Sequence, residues 1–244
     1  MIKAIIFDLD GTLIQTEILK AKSYAHAINT LTKGAVEVQH VLEGFGNYVG
    51  LSRNEVASGL IQEFNSILNL HFSGEDTESI QQKVLSERLS IYQDMINDNE
   101  LLSAHFCPFN LGLLHSLYKD NYLTALATMS NLTEVDKVLE VMGIRQKLNL
   151  VITRDQVSFG KPDPEIYLKT KDILKVKPEE CLVIEDSVNG IKAALNSGMH
   201  VFAVTNDITR TSVHKSGLLI NEFVVDDLTE LKARVYHFLA ETDI

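Results

Sequence analysis

Hydrophobic residues along the chain form short continuous runs, separated by longer segments with the spacing of amphipathic helices. A run without polar alternation is typical of a strand that is buried on both faces of a parallel sheet. We therefore predict a doubly wound α/β fold, in which strands alternate with helices. The predicted strands are 3–7, 122–127, 148–152, 181–184, 200–204 and 222–225, and the helices between them are 109–119, 132–142, 164–174 and 188–196.

Residues at the ends of these segments support the predicted helix boundaries. Gly143 and Gly198 stand where helices end, because glycine readily adopts the left-handed conformation common at C-caps. Ser187 is suited to cap the N-terminus of the helix that follows it. Earlier in the chain, Ser52 and Glu55 have the spacing of a capping box.

Residues 16–104 interrupt the alternation, because this segment contains helical patterns and no strand pattern. It predicts helices that include 18–31, 53–68 and 77–96, and all four prolines of the chain follow it. We therefore predict an α/β core formed by residues 1–15 and 105–244, and a helical domain of residues 16–104 inserted after the first strand.

Acidic residues follow the first predicted strand, at the edge where ligands of open α/β sheets bind. Asp8 and Asp10 leave this strand into a turn at Gly11, so two carboxylates can serve one cation and one reacting centre. Gly11 lets the backbone turn sharply and approach a ligand closely. An ordinary Asp-Gly turn explains Asp10 and Gly11 but not Asp8. A calcium loop would need further acidic residues that this segment lacks.

Polar residues also follow the second predicted strand. Thr128, Ser130 and Asn131 precede a helix N-terminus, where free N–H groups and the helix dipole favour an anion. Capping of that helix by Ser130 or Asn131 is the alternative explanation.

Charged residues follow the third and fourth predicted strands. Lys161 lies between Gly160 and Pro162, where it is suited to hold a phosphoryl group, although a lone lysine is more often a solvated surface charge. Glu185 and Asp186 follow four apolar residues, and adjacent buried acids need a cation to neutralise them. An N-cap role explains one of these acids but not both. Oxygen ligands without a Cys/His cluster favour Mg²⁺ over Zn²⁺.

The composition disfavours several classes of protein. The chain has 244 residues, 22 of them basic and 33 acidic, which gives a formal net charge of −11. This charge disfavours a nucleic-acid partner and a polybasic membrane-surface protein, because both depend on basic residues. No segment approaches the ~18 apolar residues of a membrane span and no signal peptide is evident, so we expect no membrane partner and a cytoplasmic protein. Cys107 and Cys181 lack metal-site spacing and are expected to be buried free thiols.

Four motifs in chain order resemble those of the haloacid dehalogenase (HAD) superfamily, in its phosphatase and β-phosphoglucomutase-like branch with a helical cap. The complete set is far more specific than any one of its members, and the resemblance covers essentially the whole chain. The motifs are Asp8-Leu9-Asp10-Gly11-Thr12-Leu13, Thr128, Gly160-Lys161-Pro162-Asp163-Pro164 and Glu185-Asp186-Ser187-Val188-Asn189-Gly190-Ile191.

The resemblance implies a role for each motif. Asp8 is expected to be the nucleophile that forms an aspartyl-phosphate, and Asp10 the general acid and base. Thr128 is expected to bind phosphoryl oxygens, and Lys161 to offset the negative charge. Mg²⁺ is expected at Asp8, the carbonyl of Asp10 and Asp186, with Glu185 close by or bound through water. The predicted substrate-binding residues are Gly11, Thr12, Ser130, Asn131 and Arg53.

The chain departs from the family pattern at two positions, one directly before the helical segment and one within it. Gln15 stands where members often have Asp, and Lys20 stands where many members, including the mutase, have His. In the mutase this His helps to retain the phosphoryl group until sugar phosphate is bound, so Lys20 disfavours a mutase. The segment from Gly50 to Arg53 resembles the mutase loop in which the arginine grips a substrate phosphate, although phosphatase caps have similar loops.

These features predict a Mg²⁺-dependent phosphatase that acts on a small phosphorylated metabolite such as a sugar phosphate. The alternative within the family is a β-phosphoglucomutase-type phosphohexomutase, which uses the same residues. A non-catalytic binding or regulatory protein is a third hypothesis, and the complete motif set argues against it. A monomer is the default expectation.

Overall fold

The computed structural model describes residues 1–48, 51 and 53–242. The chain divides into two compact units. The first, here called the core unit, consists of Met1–Gln15 and Leu102–Ile244; the second, here called the helical unit, is Thr16–Leu101. The predicted substrate loop at Gly50 and Ser52, and the capping box that Ser52 would form, lie outside the described residues.

The core unit contains a six-stranded sheet in the order β3-β2-β1-β4-β5-β6, in which every strand pairs in parallel with its neighbours. β1 lies between β2 and β4, so the order of the strands reverses there, and ligands of such sheets bind at this switch point. The strands are β1 (Ala4–Phe7), β2 (Leu123–Ala127), β3 (Leu150–Ile152), β4 (Cys181–Glu185), β5 (His200–Val204) and β6 (Val224–Val225).

The register of the three central strands brings their carboxyl ends to one level. Phe7 lies opposite Leu126 on one side and Ile184 on the other. Asp8 and Glu185, the residues that follow Phe7 and Ile184, therefore leave the sheet side by side. This register explains why side chains far apart in the sequence meet at one edge.

The helical unit contains helices of very different length. Its apolar side chains form a core of its own, which includes Tyr24, Ile28, Leu60 and Val84. The helices are α1 (Thr16–Leu31), α2 (Val38–Gly44), α3 (Arg53–Glu63), α4 (Asn65–His71) and α5 (Thr77–Asn97), and α6 (Asn99–Ser103) crosses into the core unit.

Helices of the core unit lie between consecutive strands, as a parallel sheet requires, except the last helix, which follows β6. The predicted doubly wound α/β core with helices inserted after β1 is confirmed. The helices are α7 (Pro108–Lys119), α8 (Leu132–Met142), α9 (Glu165–Leu174), α10 (Val188–Asn196), α11 (Arg210–Ser216) and α12 (Leu231–Thr242).

The largest differences between prediction and structure concern one helix, and smaller ones concern strand starts such as that of the last strand. The single helix predicted over 53–68 is wrong, because the backbone at Phe64 (φ −101°, ψ 19°) leaves the helical conformation between α3 and α4. The apolar pattern continues through the break, since Phe64 itself is buried, and so it did not signal the interruption. The last strand begins at Val224 instead of 222, because Asn221–Phe223 forms a 3₁₀ turn.

Several local predictions are confirmed. Ser187 caps α10, with its hydroxyl accepting a hydrogen bond from the Gly190 N–H at 3.0 Å. Gly143 ends α8 in the left-handed conformation, at φ +64°. Cys107 and Cys181 are free and buried. Among the described residues, no helix is both long and apolar enough to cross a membrane.

Candidate active site

Asp8 and Lys161 form the centre of a buried cluster at the carboxyl edge of the sheet. The Asp8 N–H donates to the carbonyl oxygen of Ile184 at 3.0 Å, which fixes the backbone of Asp8 beside β4. Lys161 Nζ donates to Asp8 Oδ1 at 2.6 Å, and the Lys161 side chain is only 6% exposed. Lys161 is therefore a buried ion-pair partner, and the alternative of a solvated surface charge is wrong.

The three N–H donors of the Lys161 ammonium have three acceptors. Besides Asp8, they are the carbonyl oxygen of Ala127 at 3.0 Å and Glu185 Oε1 at 2.7 Å. An ammonium has three donors, so this arrangement fixes its orientation. Lys161 thereby links the ends of β1, β2 and β4.

Glu165, the first residue of α9, holds the loop that carries Lys161. Its carboxylate accepts hydrogen bonds from the N–H of Ser158 at 2.9 Å and the N–H of Phe159 at 2.7 Å. These bonds hold the pKa of Glu165 below its usual value. The part of the loop that precedes Lys161 is thus held against the start of α9.

Glu185, the last residue of β4, accepts five hydrogen bonds. Oε2 accepts from the N–H of Asp186 at 2.9 Å, and from the N–H and hydroxyl of Ser187 at 3.0 and 3.1 Å. Oε1 accepts from Lys161 Nζ at 2.7 Å and from the Tyr167 hydroxyl at 3.0 Å. Burial disfavours the ionised carboxyl, but the Lys161 charge and these bonds hold the pKa of Glu185 below its usual value. Glu185 is a fixed, ionised carboxylate.

Three buried carboxylates could hold a metal ion. Asp8, Glu185 and Asp186 offer ligand atoms that all lie within 4.8 Å of one another. Glu185 already uses both oxygens for five donors, so Asp8 and Asp186 are better suited to direct contact with a metal. Gly11 makes room for Asp186, because a Cβ at Gly11, where φ is +82°, would lie 2.0 Å from Asp186 Oδ2. An oxygen-only donor set of this kind fits Mg²⁺.

The balance of charge in the cluster favours a cation. Burial, together with the nearby carboxylates of Glu185 and Asp10, raises the pKa of Asp8 to about 7 against the lowering effect of Lys161. Burial disfavours the charged form of Lys161 as well, but Asp8 and Glu185 hold its pKa well above its usual value. The cluster contains one ammonium, that of Lys161, and four carboxyl groups, those of Asp8, Asp10, Glu185 and Asp186. A further positive charge would therefore stabilise the ionised form of Asp8.

Asp10 is held by the hydroxyls that follow β2. Ser130 Oγ donates to Asp10 Oδ2 at 2.6 Å, and Thr128 Oγ1 lies 3.3 Å from the same oxygen. The Thr128 hydroxyl in turn accepts from the Ser130 N–H at 3.1 Å. Of the residues predicted to contact phosphate, Thr128 and Ser130 thus contact the predicted acid and base in this structure.

The start of α8 is capped from a distant residue. Asn131 occupies the N-cap position without a capping bond from its side chain, and the Leu132 N–H donates to Asp155 Oδ2 at 2.7 Å. The alternative that Ser130 or Asn131 caps this helix is therefore wrong. The predicted contact of Asn131 with a substrate stays a prediction.

Gln15 and Asn110 support the loop that follows β1. Gln15 Nε2 donates to the carbonyl oxygen of Gly11 and to Cys107 Sγ, both at 3.1 Å. Asn110 Nδ2 donates to the carbonyl oxygen of Thr12 at 2.6 Å, and Thr12 is completely buried. Gln15 thus stabilises the loop through its backbone. The role of Thr12 in substrate binding stays a prediction.

Two residues singled out in the sequence belong to the helical unit. Lys20 Nζ forms an ion pair with Glu17 Oε1 at 2.8 Å. Arg53 is the first residue of α3, and its carbonyl oxygen accepts a hydrogen bond from the Tyr24 hydroxyl at 3.1 Å. The predicted contact of Arg53 with a substrate phosphate stays a prediction.

Sequence reasoning missed the roles of Tyr167 and Gly190 in this site. Tyr167 is completely buried, with its ring centroid 5.1 Å from Lys161 Nζ. Burial and the Glu185 charge raise its pKa well above the usual value, so the hydroxyl keeps its proton. A Cβ at Gly190 would lie 1.8 Å from Glu185 Oε1. Gly190 lies inside the fourth motif, whereas Tyr167 lies three residues beyond the third, so the sequence carried no direct signal for its role.

Comparison with known proteins supports the resemblance seen in the motifs. A family model described as haloacid dehalogenase-like hydrolase matches residues 5–204. This chain belongs to the haloacid dehalogenase-like hydrolases. The match extends from the second residue of β1 to the end of β5 and includes the whole helical unit, so the predicted family is confirmed.

Known proteins similar to this HAD hydrolase include named phosphatases. The phosphorylated carbohydrates phosphatase of Thermotoga maritima is 26% identical over 207 residues, which are 84% of this chain and 87% of the relative. The validoxylamine A 7'-phosphate phosphatase of Streptomyces hygroscopicus is 27% identical over 232 residues, 95% and 97% of the two chains.

A solved structure agrees in fold. The crystal structure of β-phosphoglucomutase from Clostridium difficile is similar with a TM-score of 0.65 and 23% identity, covering 98% of this chain and all of that one (100%). At this identity the likeness supports the fold alone.

Proposed function

We propose that this protein hydrolyses a small phosphomonoester in two steps, through an aspartyl-phosphate on Asp8 and with the help of Mg²⁺. The enzyme class predicted from the sequence, a HAD-type phosphatase, is confirmed by the named relatives. The observation that carries the finer proposal is the geometry around Asp8. A buried carboxylate meets a buried ammonium at 2.6 Å, beside further carboxylates at the switch point of the sheet.

In the first step, Asp8 acts as the nucleophile. A carboxylate oxygen of Asp8 forms a bond to phosphorus while the bond from phosphorus to the ester oxygen breaks. Asp10 gives its proton to the departing oxygen, which leaves as an alcohol. Ser130 and Thr128 hold Asp10 Oδ2, so the carboxyl group has a defined orientation for this transfer.

In the second step, Asp10 acts as the base. It takes a proton from a water molecule as the water oxygen attacks the phosphorus of the aspartyl-phosphate. The bond between phosphorus and the Asp8 oxygen breaks, inorganic phosphate is released, and both aspartates return to their starting states. The two steps consume one water for each ester bond.

Lys161 and the acidic residues supply the electrostatic environment of both steps. The Lys161 ammonium offsets the charge of Asp8 and of the phosphoryl group that Asp8 receives. Asp8, the backbone carbonyl of Asp10 and Asp186 are the proposed metal-contacting groups, with Glu185 fixed behind them. When bound, Mg²⁺ supplies positive charge that lets phosphate approach an acidic site.

The proposed substrates are sugar phosphates and metabolites of similar size. The named relatives act on phosphorylated carbohydrates and on validoxylamine A 7'-phosphate, which supports this class. A phosphohexomutase with the same residues is the less supported alternative. Lys20, which stands where the mutase has His, argues in the same direction.

The test is phosphate release from a panel of sugar phosphates, phosphoglycolate and nucleotides, with and without Mg²⁺. We expect Mg²⁺-dependent release from one or more small sugar phosphates. A folded protein that releases no phosphate from any member would contradict the proposal and favour a binding protein. A coupled assay with β-glucose 1-phosphate and a bisphosphate activator would favour the mutase if isomerisation far exceeds phosphate release.

A further inference from the structure

Tyr167 contacts two members of the charged cluster at once. It is completely buried in the first turn of α9, and its hydroxyl donates to Glu185 Oε1 at 3.0 Å. The face of its ring lies toward Lys161, with Nζ 5.1 Å from the ring centroid. A buried hydroxyl that bonds to an ionised carboxylate is a strong interaction, because one partner is charged.

Glu185 Oε1 is the atom through which Tyr167 reaches the proposed reaction centre. The same oxygen accepts from Lys161 Nζ at 2.7 Å, and Lys161 Nζ donates to Asp8 Oδ1 at 2.6 Å. A continuous chain of contacts therefore runs from the Tyr167 hydroxyl through Glu185 and Lys161 to Asp8. Every link in this chain is between groups that are nearly inaccessible to water.

We propose that Tyr167 is a positioning residue, which fixes Glu185 and Lys161 so that the ammonium stays directed at Asp8. The inference rests on the proposed function of Asp8 and Lys161. Oε2 of Glu185 is held by groups of its own strand end, Asp186 and Ser187. Among the described residues, the hydrogen bonds to Oε1 come from Lys161, in the loop before α9, and from Tyr167, in α9. Tyr167 is the uncharged donor of the two, and its bond fixes the position of Oε1.

The second contact of Tyr167 adds to the first. An ammonium near the face of an aromatic ring is attracted to it, and the attraction is larger where water is excluded. The ring therefore limits movement of Lys161 Nζ away from Asp8, while the hydroxyl limits rotation of the Glu185 carboxylate. Removing the hydroxyl alone would leave the ring and its packing, so the two contributions can be separated.

The test is Tyr167→Phe, compared with Thr170→Val in the same helix. Thr170 is also buried, and its hydroxyl donates to the carbonyl oxygen of Ile166 at 2.7 Å, away from the charged cluster. Each change removes one buried hydroxyl from α9. With p-nitrophenyl phosphate as the probe, we expect Tyr167→Phe to lower kcat about tenfold, or ~1.4 kcal/mol in the barrier.

The pattern of constants decides between positioning and a structural role. Positioning predicts that KM of Tyr167→Phe stays close to that of the unmodified protein, and that Thr170→Val keeps its kcat. Both variants lose a buried hydrogen bond, so a moderate fall in Tm is expected in each. An unchanged kcat in Tyr167→Phe would overturn the inference. So would a kcat and KM that change together, or an equal loss of kcat in Thr170→Val. Failure of the proposed function would give a different result. In that case the unmodified protein would show no turnover, or the Asp8→Asn variant would keep its turnover.

Discussion

Among the described residues, the core unit buries the cationic side chain of Lys161 and the helical unit buries that of Arg88. Both cations lie over tyrosine rings, and Lys161 in addition lies between two buried carboxylates. In the core unit, Lys161 is held by the carboxylates of Asp8 and Glu185 at 2.6 and 2.7 Å. In the helical unit, Arg88 is 4% exposed and lies over the rings of Tyr24 and Tyr92, at 5.0 and 4.4 Å from their centroids.

The difference indicates where chemistry is to be expected. Contacts between a cation and ring faces stabilise packing, and the planar guanidinium is suited to them. Several carboxylates around one ammonium are costly to bury, and they change the pKa values of the groups involved. Such clusters are concentrated at functional sites. The predictions below test whether activity depends on the core cluster, with control variants in the helical unit or elsewhere in the core unit.

The largest effect is expected for Asp8→Asn. An amide cannot act as the nucleophile, so we expect phosphate release to fall by about 10⁴-fold or more. The matched control is Asp76→Asn in the helical unit, where Asp76 caps α5 by accepting from the Ser79 N–H at 2.8 Å. Asparagine caps helices as well as aspartate does, so the control should keep both its kcat and its Tm. Circular dichroism of both variants checks the fold, and substantial turnover by Asp8→Asn would show that the nucleophile is another group.

Removal of divalent metal should have the next largest effect. With chelator, we expect phosphate release to fall about 100-fold or more and to return on addition of Mg²⁺, because the metal offsets charge at an acidic site. The pKa of Asp8 is raised to about 7 in the metal-free protein. Below this pH a metal must displace a proton, so apparent Mg²⁺ affinity should fall by about tenfold for each pH unit and level off above pH 7.

The apparent Mg²⁺ affinity is measured by isothermal titration calorimetry at several pH values. The Asp76→Asn variant is a suitable control, since it should bind the metal as the unmodified protein does. Affinity that does not depend on pH between 6 and 8 would argue against Asp8 as a group that both titrates and contacts the metal.

Gly190→Ala should damage the core cluster through packing alone. The added Cβ would lie 1.8 Å from Glu185 Oε1, so the carboxylate must move. We expect a loss of about 1–3 kcal/mol in the free energy of unfolding, the usual range for overpacking, together with a lower kcat. Gly112→Ala in α7 is the matched control, because its added Cβ would meet nothing within 4 Å beyond its chain neighbours and the backbone of its own helix. That change should raise stability by about 0.5–1 kcal/mol. Equal effects of the two changes on kcat would contradict the prediction.

The smallest effect on turnover is expected for Arg53→Ala in the helical unit. If Arg53 grips the substrate and takes no part in bond making, KM should rise about tenfold while kcat stays nearly constant. Lys83→Ala serves as the control, since Lys83 forms an exposed ion pair with Glu75 in the same unit. Steady-state kinetics measure both, and an unchanged KM in Arg53→Ala would remove this residue from substrate binding.

The fold of the core unit could be predicted from the sequence because its signals are local. Continuous apolar runs indicated the strands, and Ser187 and Gly143 marked helix ends through backbone chemistry that depends on few neighbours. The helical unit was harder. Phe64 keeps the apolar period across a break in the helix, so hydrophobic spacing alone could not reveal it.

The sequence predicted which charged residues belong to the candidate site, but it did not predict which side chains contact them. Asp8 and Glu185 were visible because a charge directly after an apolar run is unusual. Lys161 was visible because it lies between Gly160 and Pro162 in a loop. Tyr167 and Gly190 were not, since a buried tyrosine and a helical glycine are ordinary residues until their neighbours are known. The contact of Ser130 with a substrate stays a prediction, and the bond of its hydroxyl to Asp10 at 2.6 Å was not foreseen. Which acceptor a hydroxyl finds depends on tertiary structure.

The most direct test of the central claim is chemical trapping of the aspartyl-phosphate. The protein with Mg²⁺ is mixed with radiolabelled p-nitrophenyl phosphate, quenched in acid, and digested for peptide mapping. We predict label on the peptide that contains Asp8, released by hydroxylamine, and absent from the Asp8→Asn variant. Phosphate release without labelled protein, or label that persists in Asp8→Asn, would contradict the claim.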